Sequence, residues 1–453
     1  MMWRMVSRVL CVVLASSLLL LRAAEAQDNP TGGVSLLRDA EIEGMIRIWA
    51  TPIWQAAGLD PAAVHIYIVS DPELNSFVAG GQNLFINSGT LLRSDTPNQL
   101  IGIMAHETGH MAGGHLARSE EAMKNATIEQ IVTLVASAAA AVATRSTDAA
   151  AAGMLGGESM AERSYFRFST TQEASADQAA LKFLDRTHQS ARGLLQFFEI
   201  LEQEELLTAG HQDPYLSTHP LTSERIEYVR EHVEHSPYSN VQDPPAWIEM
   251  HKRMKAKLRA FLQPPAETLA EYKPDDTSVP ARYARAIADY RVPDLKKAVP
   301  EIDALIRDYP QDPYFRELKG QMLFENGRVA EAVAPYEEAV KLKPDNALLR
   351  VEAAQVQLET NNPALVPKAL LNLNDAVQFE NRNPDAWHFL AIAYGRSNNM
   401  GMMALSLAEE GMANGDYKQA RQQATRAIHL LPPGVEKQQA IDLQGDAKRE
   451  DQD

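Results

Sequence analysis

Cysteine is nearly absent from this chain, whose 453 residues include one, Cys11. An intrachain disulfide is therefore excluded. Cys11 also lies in an N-terminal segment that we expect to be cleaved off, so the mature protein has no cysteine that could serve as a nucleophile. In an oxidising compartment such a protein depends on core packing, and on any metal that it binds, instead of on disulfides.

Positive charge is also scarce, because 43 Lys and Arg residues stand against 60 Asp and Glu, for a formal net charge of −17. Proteins that bind nucleic acid usually present a basic surface to the phosphates. The acidic balance therefore argues against a nucleic-acid partner and is most simply explained by solubility. A chain of this length is expected to form two domains instead of one core.

Long apolar runs are missing as well, because the two that occur are shorter than the about 20 residues that a membrane-spanning helix needs. The first, residues 9–21, follows Arg4 and Arg8 and precedes Ala24-Glu25-Ala26. This pattern predicts a secretory signal peptide, with a retained anchor as the alternative. The second run, residues 131–144, predicts a buried core helix. Its alternative is a mobile lid, or a surface that contacts membrane or unfolded client.

What the chain does contain is His106-Glu107-Thr108-Gly109-His110, which matches H-E-x-x-H. On a helix the two histidines lie one turn apart on the same face, so both imidazoles can bind a single Zn²⁺. Glu107 then lies beside the open metal position and can take a proton from water whose pKa the metal lowers from about 16 towards about 7. The motif predicts a zinc peptidase with one ion per subunit.

A third protein ligand has to come from elsewhere in the chain. His115 lies nine positions after His106, about 180° around a continuous helix, so we predict that it faces away from the metal and has a structural role. Glu173, in the stretch Glu173-Ala174-Ser175-Ala176-Asp177, fits the peptidases that take a glutamate from a later helix. Asp177, one turn further on, could accept a hydrogen bond from the outer nitrogen of a ligand histidine.

A small sheet is predicted immediately before the motif, where apolar residues alternate over 64–69 and shorter strands are indicated near 77–79 and 84–86. An edge strand beside the motif helix can hold an extended substrate through main-chain hydrogen bonds. We predict this role for a strand that consists of Asn83, Leu84, Phe85 and Ile86. An ordinary core hairpin is the alternative.

The pattern over residues 60–232 resembles the HtpX-like glutamate-zincin peptidases. The matching segments are Asn75-Ser76-Phe77 to Gly80-Gly81, His106-Glu107-x-x-His110, Glu173-x-x-x-Asp177, and Ser217-Thr218-His219-Pro220 with Arg225. The resemblance implies that His106, His110 and Glu173 bind zinc and that Glu107 is the general base. Unlike HtpX itself, this chain shows no further membrane-spanning run after the signal peptide, and it continues into a second half.

Two residues of this pattern have open roles. His219 could stabilise the oxyanion of the transition state, or it could occupy the open zinc position and exclude water. The sequence permits either. Arg225 could pair with a carboxylate of the substrate or of the site itself.

The second half of the chain carries a repeat. Pro310 and Pro344 are 34 residues apart, which is the period of tetratricopeptide repeats. Small and aromatic residues occupy the positions that such repeats need, namely Gly320, Gly327, Ala332, Tyr336 and Ala339. We expect about four degenerate repeats over residues 281–432, stacked around a groove that suits peptides or partner proteins. A plain helical bundle is the alternative.

These patterns together predict a mainly α-helical protein with two domains. A signal peptide (1–26) precedes a zincin-type α+β metalloprotease domain with a small sheet (27–262). A linker (263–280) then leads to an α-helical tetratricopeptide-repeat solenoid (281–453).

A secreted glutamate-zincin with such repeats resembles the periplasmic proteases of outer-membrane protein quality control. The resemblance implies a zinc metalloendopeptidase that assists β-barrel assembly and degrades stalled clients. Its partners would be unfolded or misassembled outer-membrane proteins and, through the repeats, the β-barrel assembly machinery, with possible peripheral membrane contact. The alternatives are a periplasmic repeat scaffold or chaperone with a normally silent peptidase, and a general peptide-scavenging enzyme.

Overall fold

The structure is a computed structural model that describes residues 35–79, 81–115, 169–207, 219–292 and 294–451. The predicted signal peptide (1–26) and the apolar run 131–144 lie outside these ranges. Within the described part of the chain, no helix is long and apolar enough to cross a bilayer.

The N-terminal half is built on a small sheet. Its strands, in the order β1-β2-β4-β3, are β1 (Leu36–Leu37), β2 (His65–Val69), β3 (Ser76–Ala79) and β4 (Asn83–Asn87). β4 pairs in parallel with β2 and antiparallel with β3. Alternate residues of β2 and β4 are buried, among them Ile66, Ile68, Leu84 and Ile86, as the alternation in the sequence predicts.

The prediction that Asn83, Leu84, Phe85 and Ile86 form a substrate-binding edge strand is wrong. These residues form β4, an interior strand with β2 hydrogen-bonded on one side and β3 on the other. Neither side of β4 has main-chain groups left for a substrate. The outer strands of the described sheet are β1 and β3, and β3 follows β2 in the sequence but lies beyond β4 in space.

Helices cover this sheet and supply most of the core. They are the first helix (Ala40–Ala56), Ser88–Arg93, the motif helix (Pro97–Gly113), the glutamate helix (169–186), Arg192–Leu207, the arginine helix (Ser223–His235) and the bridging helix (Pro245–Leu262). Trp49, Trp54 and Phe198 are fully buried among them. The core excludes water around the motif helix, which packs against β3, the first helix and Arg192–Leu207.

The second half of the structure consists of antiparallel helix pairs. The described helices are Val279–Arg291, Leu295–Asp308, Pro313–Glu325, Val329–Leu342, Ala347–Glu359, Val366–Phe379, Pro384–Arg396, Met400–Ala413, Tyr417–Leu430 and Val435–Glu450. Small residues permit the close packing, since a Cβ on Gly320 would lie 2.5 Å from the ring of Tyr336. The predicted mainly helical architecture, with a small sheet followed by a solenoid, is confirmed. The pairs continue beyond residue 432, however, and the stretch 263–280, expected to be a linker, contains the helix Pro265–Glu271.

The two halves meet at a buried cluster of charges. Lys257, on the bridging helix, lies with its Nζ 2.8 Å from Asp39 and 3.2 Å from Glu41 at the start of the first helix. Tyr283, in the first repeat helix, donates a hydrogen bond to Glu41 over 3.0 Å. Arg253 pairs with Glu41 and, at 2.5 Å, with Asp312. Because these groups are buried together, the repeats are fixed to the N-terminal half by charge pairing as well as by apolar contact.

Candidate metal centre

Thr96 and Pro97 mark the beginning of the motif helix. The side chain of Thr96 accepts a hydrogen bond from the N–H of Gln99, and Pro97 occupies the first turn. Gly109, inside the motif, lies against the glutamate helix, where a Cβ would be 2.9 Å from the Cα of Ala176. The absence of a side chain at Gly109 therefore lets the two helices approach closely enough to bring their polar residues together.

Four side chains from three segments converge between these helices. His106, His110, Glu173 and His219 each offer one possible metal-ligating atom, and these atoms all lie within 4.8 Å of one another. His106 Nε2 is 3.1 Å from His110 Nε2 and 3.3 Å from Glu173 Oε2, while His110 Nε2 is 3.3 Å from Glu173 Oε1. Nδ1 of His219 lies 3.2 Å from both Glu173 oxygens.

This cluster fits a transition-metal ion of the zinc type. Imidazole nitrogens and a carboxylate are the donors that zinc takes, and all four residues are at most 7% exposed. Both oxygens of Glu107 are buried without a hydrogen-bond partner among the described residues. An unsatisfied buried carboxylate is costly, so its position beside the cluster indicates that it faces a ligand of the site, such as water.

Two charged residues, Asp177 and Arg225, contact the outer side of the cluster. Asp177 accepts at 2.8 Å from Nδ1 of His106, and the guanidinium of Arg225 donates to Asp177 over 2.6 Å and 3.0 Å. Arg225 also lies 3.0 Å from Glu173, and its guanidinium carbon is 5.0 Å from the ring centre of Phe198. Of the two possibilities left open by the sequence, the structure therefore has Arg225 paired with carboxylates of the site.

Burial and charge set the protonation of the carboxylates. Burial raises the pKa of Glu107 to about 7, partly offset by the nearby His219 and His106. Burial also acts to raise the pKa of Asp177, but the charge of Arg225 outweighs it and lowers that pKa below the ordinary value. The pKa of Glu173 is likewise lowered, because His219 and the hydrogen bonds from the histidines overcome its burial. Glu107 is thus the carboxylate of this group that can accept a proton near neutral pH.

His219 comes directly after residues 208–218, which lie outside the described part of the chain. Its Nε2 is 3.9 Å from Glu107 Oε1, and the residue is 6% exposed. The structure thus brings together all the residues predicted for the metal site and its surroundings, namely His106, Glu107, His110, Glu173, Asp177, His219 and Arg225.

His115 is not one of the four possible ligands, but its ring does not lie on the far side of the motif helix as predicted. The motif helix ends at Gly113, and Gly114 has a left-handed backbone with φ of 61°. This residue ends the helix and turns the chain, and Nδ1 of His115 lies 3.1 Å from Nδ1 of His110. The prediction assumed a continuous helix, and the glycine pair before His115 was the sequence signal that could have corrected it. By contrast, no sequence pattern indicates that Phe198 lies against Arg225.

Both halves of the chain match known protein families. Residues 37–233 match the model of peptidase family M48, and residues 283–347 match that of a tetratricopeptide repeat. The beta-barrel assembly-enhancing protease of Yersinia pestis is 23% identical over 368 residues, which cover 77% of this chain and 72% of that protein. The protein of the same name from Escherichia coli K12 is 22% identical over 425 residues, 92% of this chain and 85% of that protein.

A further relative matches a smaller share of the chain. Metalloprotease LoiP of Escherichia coli K12 is 27% identical over 173 residues, 38% of this chain and 63% of that protein. Residues 37–233 are therefore similar to family M48 peptidases, and residues 283–347 are similar to a tetratricopeptide repeat. The chain is a metallopeptidase, as its motif predicts.

Proposed function

We propose that this metallopeptidase is a zinc-dependent endopeptidase of the periplasm that acts in the quality control of outer-membrane proteins. The observation that carries the catalytic part is the buried carboxylate of Glu107, unsatisfied among the described residues, beside a cluster of three imidazoles and one carboxylate. The names of the relatives support the biological part.

His106, His110 and Glu173 are the residues that would hold the zinc ion. When bound, zinc acts as a Lewis acid and lowers the pKa of a coordinated water towards about 7. Glu107 would accept a proton at a carboxylate oxygen, for which its pKa of about 7 is suited. Asp177 and Arg225 are positioning residues, because Asp177 reaches His106 from its outer nitrogen and Arg225 neutralises Asp177.

For the substrate strand we propose β3 in place of β4. The N–H of Asn87 donates to the C=O of Asn75 across this strand pair. Because hydrogen bonding alternates along an antiparallel pair, the main-chain groups of Ser76 and Val78 point to the other side, away from β4. β3 also packs against the motif helix, so a peptide on this edge would run beside the metal centre. Ser76 is fully buried and Val78 is 7% exposed, so the residues that cover this edge would have to move before a peptide pairs with it.

For His219 we propose the role of a residue that occupies the fourth metal position and so restrains the peptidase. Its Nδ1 approaches both oxygens of Glu173 at 3.2 Å, and it shares the 4.8 Å cluster with the two motif histidines. A donor at this place competes with water for the metal. The alternative, an oxyanion-stabilising role, predicts the opposite effect of its removal.

The repeats support a role in binding clients before cleavage. Stacked helix pairs present a long surface on which extended or unfolded chains can bind. We further propose a periplasmic protein that contacts outer-membrane proteins and the β-barrel assembly machinery. This proposal agrees with the acidic sequence, the predicted signal peptide and the apolar stretch 131–144. A repeat scaffold with a silent peptidase is the second candidate, and the following experiment separates the two.

The test compares cleavage of casein by the wild-type chain and by Glu107→Gln, with Glu234→Gln, an exposed residue of the arginine helix, as the matched control. We expect Glu107→Gln to retain zinc and lose several orders of magnitude in cleavage rate, because an amide cannot accept the proton. Glu234→Gln should cleave like the wild type. If wild type and Glu107→Gln complement a gene deletion equally well, the scaffold is favoured. If the cleavage rate of Glu107→Gln is within about tenfold of wild type, the base is another residue.

A further inference from the structure

His115 contacts His110, a proposed zinc ligand, from the side opposite the cluster. Its ring stands nearly perpendicular to that of His110, at 84°, and the ring centres are 5.0 Å apart. The two Nδ1 atoms are 3.1 Å apart, and His115 is 3% exposed. At that distance one of the two nitrogens donates a hydrogen bond to the other.

The direction of this hydrogen bond follows from the other nitrogen of His110. Nε2 of His110 faces into the cluster, 3.1 Å from His106 and 3.3 Å from Glu173. If Nε2 binds a metal, the hydrogen of the neutral imidazole must be on Nδ1. His110 then donates from Nδ1, and Nδ1 of His115 accepts.

We propose that His115 is a positioning residue that fixes the tautomer and orientation of His110, as Asp177 does for His106. This inference rests on the proposed function, since it takes Nε2 of His110 to be a zinc ligand. The two ligand histidines thus have different outer partners: a carboxylate paired with Arg225 for His106, and a neutral imidazole for His110. Outer partners of this kind commonly change metal affinity by about 10- to 100-fold when removed.

Two glycines make this contact possible. Gly114 provides the left-handed turn, with φ of 61°, which residues with a side chain adopt less readily. Gly113 provides the space, because a Cβ there would lie 2.4 Å from Nε2 of His115. Gln172, on the glutamate helix, donates to the C=O of His115 over 3.2 Å and fixes the backbone after the turn. The local sequence and the neighbouring helix therefore both hold the imidazole against His110.

The experiment measures zinc affinity by competition with a chelator for three forms of the full-length protein. His115→Phe keeps the ring but has no acceptor, whereas His115→Asn keeps an acceptor near the position of Nδ1. We expect His115→Phe to bind zinc about 10- to 100-fold more weakly than wild type and His115→Asn to stay close to wild type. Thermal midpoints of the chelator-treated proteins are the folding control, so that a loss of zinc affinity is not confused with unfolding.

Two outcomes would overturn the inference: wild-type zinc affinity in His115→Phe, or equal weakening in His115→Asn and His115→Phe. If His115→Phe does not fold, Gly113→Ala supplies the measurement, because its methyl group must displace the His115 ring while His110 is left intact. Gly113→Ala should then weaken zinc binding, and unchanged affinity would contradict the proposal. A wild-type protein that binds no zinc would instead overturn the proposed function itself.

Discussion

Asp177 Oδ1 lies 2.8 Å from Nδ1 of His106, while Nε2 of the same ring lies 3.3 Å from Glu173. The two carboxylates are one turn apart on the glutamate helix and approach one imidazole from its two nitrogens. Glu173 can therefore share a metal with His106, whereas Asp177 can only orient the ring. This arrangement gives similar acidic residues different chemical roles, and it can be tested.

Replacement of these two carboxylates should affect zinc unequally. Glu173→Gln removes a charged ligand and should leave little zinc in the purified protein, whereas Asp177→Asn removes an orienting interaction worth about 10- to 100-fold in affinity. Elemental analysis of both variants, purified side by side, is the measurement. Full zinc occupancy in Glu173→Gln would contradict the ligand assignment.

His219 can be tested by the direction of the change in rate. If it occupies the fourth metal position, His219→Ala should raise the cleavage of an unfolded substrate and increase self-cleavage, because water gains access to the site. If it stabilises the oxyanion, the same change should lower the rate by about 10²- to 10³-fold. Steady-state cleavage by the purified variant decides between them, with His235→Ala, an exposed histidine, as the control. A clear loss of activity would rule out the restraining role.

Lys257 should be essential for the stability of the junction between the two halves. It is 2% exposed and lies within 3.7 Å of Asp39, Glu41 and Glu317. Lys257→Met leaves these carboxylates without their buried cation, so we expect a loss of about 3–5 kcal/mol in unfolding free energy. Lys252→Met is the matched control, since Lys252 is exposed on the same helix and its surface pair is worth about 0–1 kcal/mol. Denaturant unfolding of both variants is the measurement, and equal midpoints would contradict the expectation.

His251 should make the protein less stable in mild acid. Burial, with a contribution from Lys255, lowers its pKa to about 4, and its Nε2 lies 2.8 Å from Ser94 Oγ. Between about pH 6.5 and pH 4 the unfolded chain therefore binds a proton that the folded protein does not, so stability falls as the pH falls through this window.

The corresponding variant is His251→Gln, which keeps a donor for Ser94 and cannot titrate. Thermal midpoints measured from pH 7 to pH 4.5 should decrease less steeply for His251→Gln than for the wild type. The difference is expected to correspond to at most about 3 kcal/mol. The same pH dependence in both proteins would assign the acid sensitivity to other groups.

Much of the candidate site can be predicted from the sequence because its signals are local. The spacing of His106 and His110 places them on one face of any helix, and Thr96 with Pro97 specifies where that helix begins. Glu173 and Asp177 are likewise separated by one helical turn. The 34-residue spacing from Pro310 to Pro344 is also local, since each helix pair packs mainly on its neighbours in sequence.

The remaining features depend on which distant segments meet, and this was decided by the tertiary structure. Strand order is one case. Short-range alternation predicts β3 and β4 equally well, but β4 pairs with β2 as well as with β3, and this places β3 at an edge of the sheet. The partners of Arg225 are another, because they lie on a helix more than forty residues earlier in the chain. The position of His115 depends on both local sequence and tertiary structure. Gly113 and Gly114 permit the turn, and contacts with Gln172 and His110 fix where the ring lies. The sequence by itself thus determined the type of chemistry, through residue types at helical spacing. The proposed substrate edge and the outer partners of His106 and His110 followed only from packing, because they require contacts that local preferences do not specify.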